Sequence, residues 1–96
     1  MFLLILSYKK PLAEVDRFVA EHRAFLERYY ESGQFLLSGR KEPRTGGVIF
    51  ANVESETELA EIIRQDPFCR EQIADYEIIE FIPSMSAEHL SHLKET

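Results

Sequence analysis

The stretch "GQFLLSGRKEPRTGGVIFANV", residues 33–53, decides the fold. Residues 34–39, "QFLLSG", read as a strand, and residues 46–53 as a second one. The basic loop between them, with a proline and paired glycines, turns the chain. The second strand is apolar on both faces, which places it in the middle of a sheet.

Upstream, residues 2–8 form an almost unbroken apolar run without alternation, a second central strand. Pro11 suits the first position of a helix. Val15, Phe18, Val19, Leu26, Tyr29 and Tyr30 keep helical spacing until Gly33 closes the helix. Downstream, Ser55 and Glu58 make an S-x-x-E capping box for a second helix, with Leu59, Ile62 and Ile63 inward. It stops before Pro67, because the residue preceding proline is pushed out of helical geometry. After the short turn "FCREQI", residues 76–82, "YEIIEFI", alternate partially and read as an edge strand. Ser86 is placed to cap a final short helix over residues 87–95.

The order β-α-β-β-α-β, with a tail helix, is the split ferredoxin-like pattern: an α+β fold with a four-stranded antiparallel sheet. Two helices cover one face of such a sheet. The other face would leave side chains of "FLLIL" and "GVIFANV" in water, and an exposed apolar patch of that kind marks an interface. The expectation is a homodimer with sheets packed face to face, a dimeric α+β barrel.

Ninety-six residues make one domain, 1–96, small enough for oligomerisation to matter to its stability. The net charge of −6, from 11 basic and 17 acidic residues, argues against nucleic acid or an anionic membrane as partner. Cys69 is the sole cysteine, so no internal disulfide forms, and a reducing cytoplasm is the expected home. "MFLLIL" lacks the basic flank of a signal peptide and is too short to span a bilayer.

His22 lies seven residues after Val15 and four before Leu26, on the apolar stripe of the first helix. An imidazole there is either a core histidine bonded to a carbonyl or a general base at the floor of a pocket. Asp66 precedes Pro67, a favourable N-cap arrangement. Capping and proton handling need not exclude each other, since one carboxylate oxygen can cap while the other receives His22. Ser38, at the end of the second strand, is a candidate donor to a ligand, though no G-x-S-x-G elbow marks it as a nucleophile. Arg40 and Arg44 either clamp a carboxylate or belong to a solvated hairpin loop. Phe68, Tyr29 and Tyr30 are candidates for an aromatic lining or simply for the core. His89 and His92 lack the further ligands a zinc site needs, so no metal is expected.

The chain resembles the YciI family. The likeness is carried by "MFLLILSYKKPLAEVD", "HRAFL" with His22, "GQFLLSG" followed by "PRTGG", and "DPF" with "YEIIEFIP", in order along nearly the whole chain. It implies a dimeric α+β barrel with a His–Asp pair proposed as catalytic, here His22 and Asp66. Relatives in the wider superfamily include muconolactone isomerases, dehalogenating lyases of aromatic catabolism and small cofactor-free monooxygenases. Many members have Gly-Pro after the second strand, whereas this chain has Gly39-Arg40.

These readings converge on a small cytoplasmic enzyme that moves a proton on a small organic molecule, in an isomerisation or an elimination. His22 moves the proton and Asp66 orients it. Ser38 donates a hydrogen bond, Arg40 and Arg44 attract a carboxylate if the ligand carries one, and Phe68 lines the pocket. No cofactor or metal is implied. The alternative is a dimer that binds or senses a small ligand without turnover.

Overall fold

The structure, a computed structural model, describes residues 1–95; Thr96, the last residue of the expected domain, lies outside the described residues. The sheet is antiparallel, and its two central strands are the two apolar ones, β1 (Phe2–Tyr8) and β3 (Gly46–Ala51). Strands β2 (Phe35–Arg40) and β4 (Ala74–Glu80) form the edges, giving the order β2-β3-β1-β4. This is the ferredoxin-like arrangement expected from the element order. The last strand begins two residues earlier than its alternation suggests, because Ala74 and Asp75 already pair with Tyr8 and Ser7.

Four helical segments lie on one face: α1 (Leu12–Asp16), α2 (Val19–Glu31), α3 (Glu56–Ile63) and α4 (Pro67–Arg70). The single helix expected between Pro11 and Gly33 is therefore two. The amides of Arg17 and Phe18 bond three residues back, to Glu14 and Val15, and Phe18 leaves helical geometry at φ −113°, ψ 3°. That tightened turn re-phases the apolar stripe, so Val15, Phe18 and Val19 all meet the core. Pro11 stands as the cap rather than inside the helix.

Beneath the helices the core joins Phe2, Leu4 and Leu6 of β1 and Ile49 and Ala51 of β3 to Val15, Phe25, Leu59 and Ile62. Each large apolar side chain removed from water there contributes about 1.5–3 kcal/mol before the entropy of ordering is counted. Ser55 caps α3 by accepting the Glu58 amide at 3.1 Å, but the reciprocal half of the box is missing. The Glu58 carboxylate instead accepts from Gln34 Nε2 at 2.7 Å, tying α3 to the residue before β2.

The opposite face carries Leu3, Ile5, Val48 and Phe50, with Leu37 and Ile79 exposed at its sides. Leu37 reaches that face through a β-bulge. Phe35 pairs with Ala51 but Leu37 pairs with Phe50, so Leu36 is an extra residue and the alternation reverses. Strict alternation from buried Phe35 would have sent Leu37 inward and Ser38 outward; the bulge does the opposite.

The final short helix expected over residues 87–95 is a 3-10 helix, Glu88–Leu93. Ser86 does not cap it: its hydroxyl donates to the Ala87 carbonyl. The tail folds back, with the Glu95 amide on the Pro83 carbonyl at 2.9 Å and its carboxylate 3.4 Å from the Met1 ammonium. Among the described residues no helix is long and apolar enough to cross a membrane.

Candidate functional site

Between α2 and the β2–β3 side of the sheet lies an open cavity of about 440 Å³. His22 reaches it from the first turns of α2. Its Nδ1 lies 2.8 Å from Asp66 Oδ1, across 44 residues of sequence. Asp66 is wholly buried and sits at the N-terminus of α4, where Oδ1 also accepts the Phe68 amide at 2.9 Å. The other oxygen, Oδ2, accepts the Tyr76 hydroxyl from β4. Capping and the histidine contact thus coexist, though on the same oxygen and not on one each.

An ionised carboxylate only accepts hydrogen bonds, so the Asp66 contact fixes the hydrogen on Nδ1 and leaves the Nε2 lone pair available. Among the described residues Nε2 has no hydrogen-bond partner. The ring is held from the side as well. Phe68 stacks on it with centroids 4.0 Å apart and planes 4° from parallel, and Tyr8 presses edge-on against Phe68 at 6.0 Å. Phe68, only 2% exposed, is a platform for the imidazole as much as part of the cavity wall. The buried side chains of this group leave no polar atom without a partner.

Ser38 faces the same cavity, brought inward by the bulge, and its hydroxyl is hydrogen-bonded to that of Tyr30. Arg40, at the end of β2, and Arg44, in the loop, reach the cavity too. Arg44 is already engaged, with Nη2 at 2.5 Å from Asp16 Oδ1. That hydrogen bond raises its already high pKa, so it remains a cation at any working pH. Arg23, next to His22, is a third cavity arginine.

Gly46 is required for close approach: the Cβ of any other residue there would overlap the Leu6 carbonyl of β1. His89 and His92 lie on the exposed tail, and among the described residues no three His, Cys, Asp or Glu side chains cluster as a metal site would require. Tyr29 packs with Phe25 and Phe35 in the core and not in the cavity.

Sequence reasoning missed Tyr76, Tyr8 and Arg23; Tyr30, a candidate for the lining or the core, meets the Ser38 hydroxyl. An inward tyrosine on an edge strand is a signal in principle, because a buried hydroxyl needs a partner. Arg23 gave none; one residue from His22, it reaches the cavity because the cavity is open on that side.

A four-stranded antiparallel sheet with its helices on one face makes this a small α+β protein of the ferredoxin-like class. Within it, the chain belongs to the YCII-related domain family, whose model matches residues 1–82. It is similar to the solved structure of 5-chloro-2-hydroxyhydroquinone dehydrochlorinase (TftG) from Burkholderia phenoliruptrix AC1100 in complex with 2,5-dihydroxybenzoquinone. The two share 20% identity over 86% of this chain and 95% of that one, with a TM-score of 0.67, a likeness of fold. No curated protein matches the chain.

Proposed function

We propose that this protein is an enzyme that moves a proton on a small organic ring compound, by elimination or isomerisation, with His22 as the base. The observation that carries the reading is the 2.8 Å contact between His22 Nδ1 and buried Asp66, which leaves Nε2 as a free acceptor on a cavity large enough for a small ring. Nε2 takes a proton from a carbon next to a carbonyl. The C–H electron pair then either moves onto that oxygen as an enolate or expels a leaving group such as halide. In an isomerisation the imidazolium returns the proton to a different carbon. Asp66 keeps the ring in the productive tautomer and stabilises the imidazolium. When Tyr30 is the donor in its contact with Ser38, the serine keeps its own hydrogen to offer the developing oxyanion. The relative named above is a dehydrochlorinase of a hydroxylated chloroaromatic, which fits the elimination branch.

The test is a panel of lactones and chlorinated hydroxyaromatics, read by mass spectrometry with wild type and His22→Gln. Product formed by the first and not by the second supports the reading. Saturable binding without product supports the alternative, a ligand-binding or sensing protein.

We further propose a homodimer through the open sheet face, in a reducing cytoplasm, with the 1–96 chain folding as one domain. Leu37 at 58% exposed and Ile79 at 40% flank the central apolar residues of that face, and a second copy would remove all of them from water. Sedimentation equilibrium at micromolar concentration tests it, with a stable monomer as the contrary result.

A further inference from the structure

The cavity differs from the rest of the molecule in charge. The chain carries 17 acidic residues and a net charge of −6, yet none of the residues lining the cavity is acidic, while three are arginines. The arginines also differ among themselves. Arg17, Arg44, Arg64 and Arg70 each hold a carboxylate within 4.0 Å, and Arg28 lies over the Tyr29 ring. Among the described residues only Arg23 and Arg40 have neither kind of partner, and both line this cavity.

We infer that Arg23 and Arg40 form an anion subsite, and that the ligand is a ring compound bearing a permanently ionised oxygen, of the carboxylate class. A guanidinium presents a planar fork of donors that matches a carboxylate, and it stays charged at every working pH. Arg40 comes from the end of β2, where it pairs with Gly47 and so shares the helix-covered face with Ser38. Arg23 comes from α2, one residue past His22, so the two residues line the cavity from the helix layer and from the sheet. Arg44 has no such freedom, because Asp16 already occupies it. The assignment deepens the proton-transfer reading of the same cavity by naming the charge of its ligand. It adds a chemical reason: as a proton leaves for His22 the ligand gains negative charge, which the second guanidinium is free to meet.

The test uses benzoate and its neutral isostere benzamide as probes, with binding followed by protein-observed NMR. Benzoate binds saturably at millimolar concentration and weakens as salt rises, and benzamide binds at least about tenfold more weakly. Arg23→Gln and Arg40→Gln each reduce benzoate affinity by about tenfold. Arg64→Gln, an equal change of net charge at an exposed pair at the C-terminal end of α3, leaves it unchanged. Equal binding of the two probes, no saturable benzoate binding, or equal loss in all three arginine variants overturns the subsite. Turnover on the substrate panel separates the two readings, since benzoate binding needs no turnover: a lack of product leaves its arginine dependence standing, and product formed without that dependence removes the subsite alone.

Discussion

Tyr76→Phe probes the least visible support of the site. The hydroxyl donates to Oδ2 of Asp66, a carboxylate that is 0% exposed and whose other oxygen already accepts from His22 Nδ1 and the Phe68 amide. Phenylalanine keeps the ring, so the packing of Tyr76 against the core is retained and only the donor is lost. Removing one hydrogen bond to a charged group costs about 1.5–3 kcal/mol. For a chain of this size that lowers Tm by roughly 6–24 °C. Urea unfolding of Tyr76→Phe, Asp66→Asn and the double variant gives the coupling between the two side chains, expected at about 1–2 kcal/mol. The imidazole reports the same event independently. In wild type the 15N signals of His22 show one tautomer, protonated at Nδ1; in Tyr76→Phe the carboxylate is free to turn, and the second tautomer appears. Additive stabilities within about 0.5 kcal/mol, together with an unchanged tautomer, would refute the claim that Tyr76 holds Asp66 in register with His22.

Three other outcomes are expected. His22→Gln loses about 10²–10⁴-fold in turnover, the usual contribution of a positioned general base, on any substrate the panel identifies, with fold retained by circular dichroism. Gly46→Ala lowers stability by about 1–3 kcal/mol or more in urea unfolding, because its Cβ meets the Leu6 backbone and not a movable side chain. Ile79→Lys, on the open face beside Leu3, shifts sedimentation from dimer to monomer without loss of secondary structure.

The central strands were legible because both of their faces are apolar, so residues 2–8 form a run with Phe2, Leu4 and Leu6 in the core and Leu3 and Ile5 on the open face. The element order then followed from turn and cap residues whose chemistry is local: Gly33 at φ +83°, Ser55 on the Glu58 amide, Asp66 before Pro67. What stayed hidden is what tertiary pairing decides. The bulge at Leu36 carries no composition signal, yet it alone turns Ser38 toward the cavity and Leu37 toward the open face. The break at Phe18 falls within a regular apolar stripe. His22 and Asp66 each had a local explanation, and no spacing rule says that residues 44 apart will touch. The ion pair of Arg44 was hidden for the same reason: its partner Asp16 lies across the fold, on a different element.

The burial of Asp66 separates the local explanation from the functional one. A cap on a four-residue helix needs a single acceptor, and Ser or Asn supplies it without bringing a charge into the core. A carboxylate fully withdrawn from water is expensive unless several donors surround it. Here the donors come from three separate segments: α2 through His22, the α4 backbone through Phe68, and β4 through Tyr76. Capping accounts for only one of them. Tyr76 holds the second oxygen, and His22 brings an imidazole whose remaining nitrogen, among the described residues, has no partner at the cavity wall. A capping role alone predicts that Asp66→Ser preserves everything measurable about His22. A supporting role predicts that Asp66→Ser keeps the Phe68 amide satisfied while the imidazole loses its fixed tautomer.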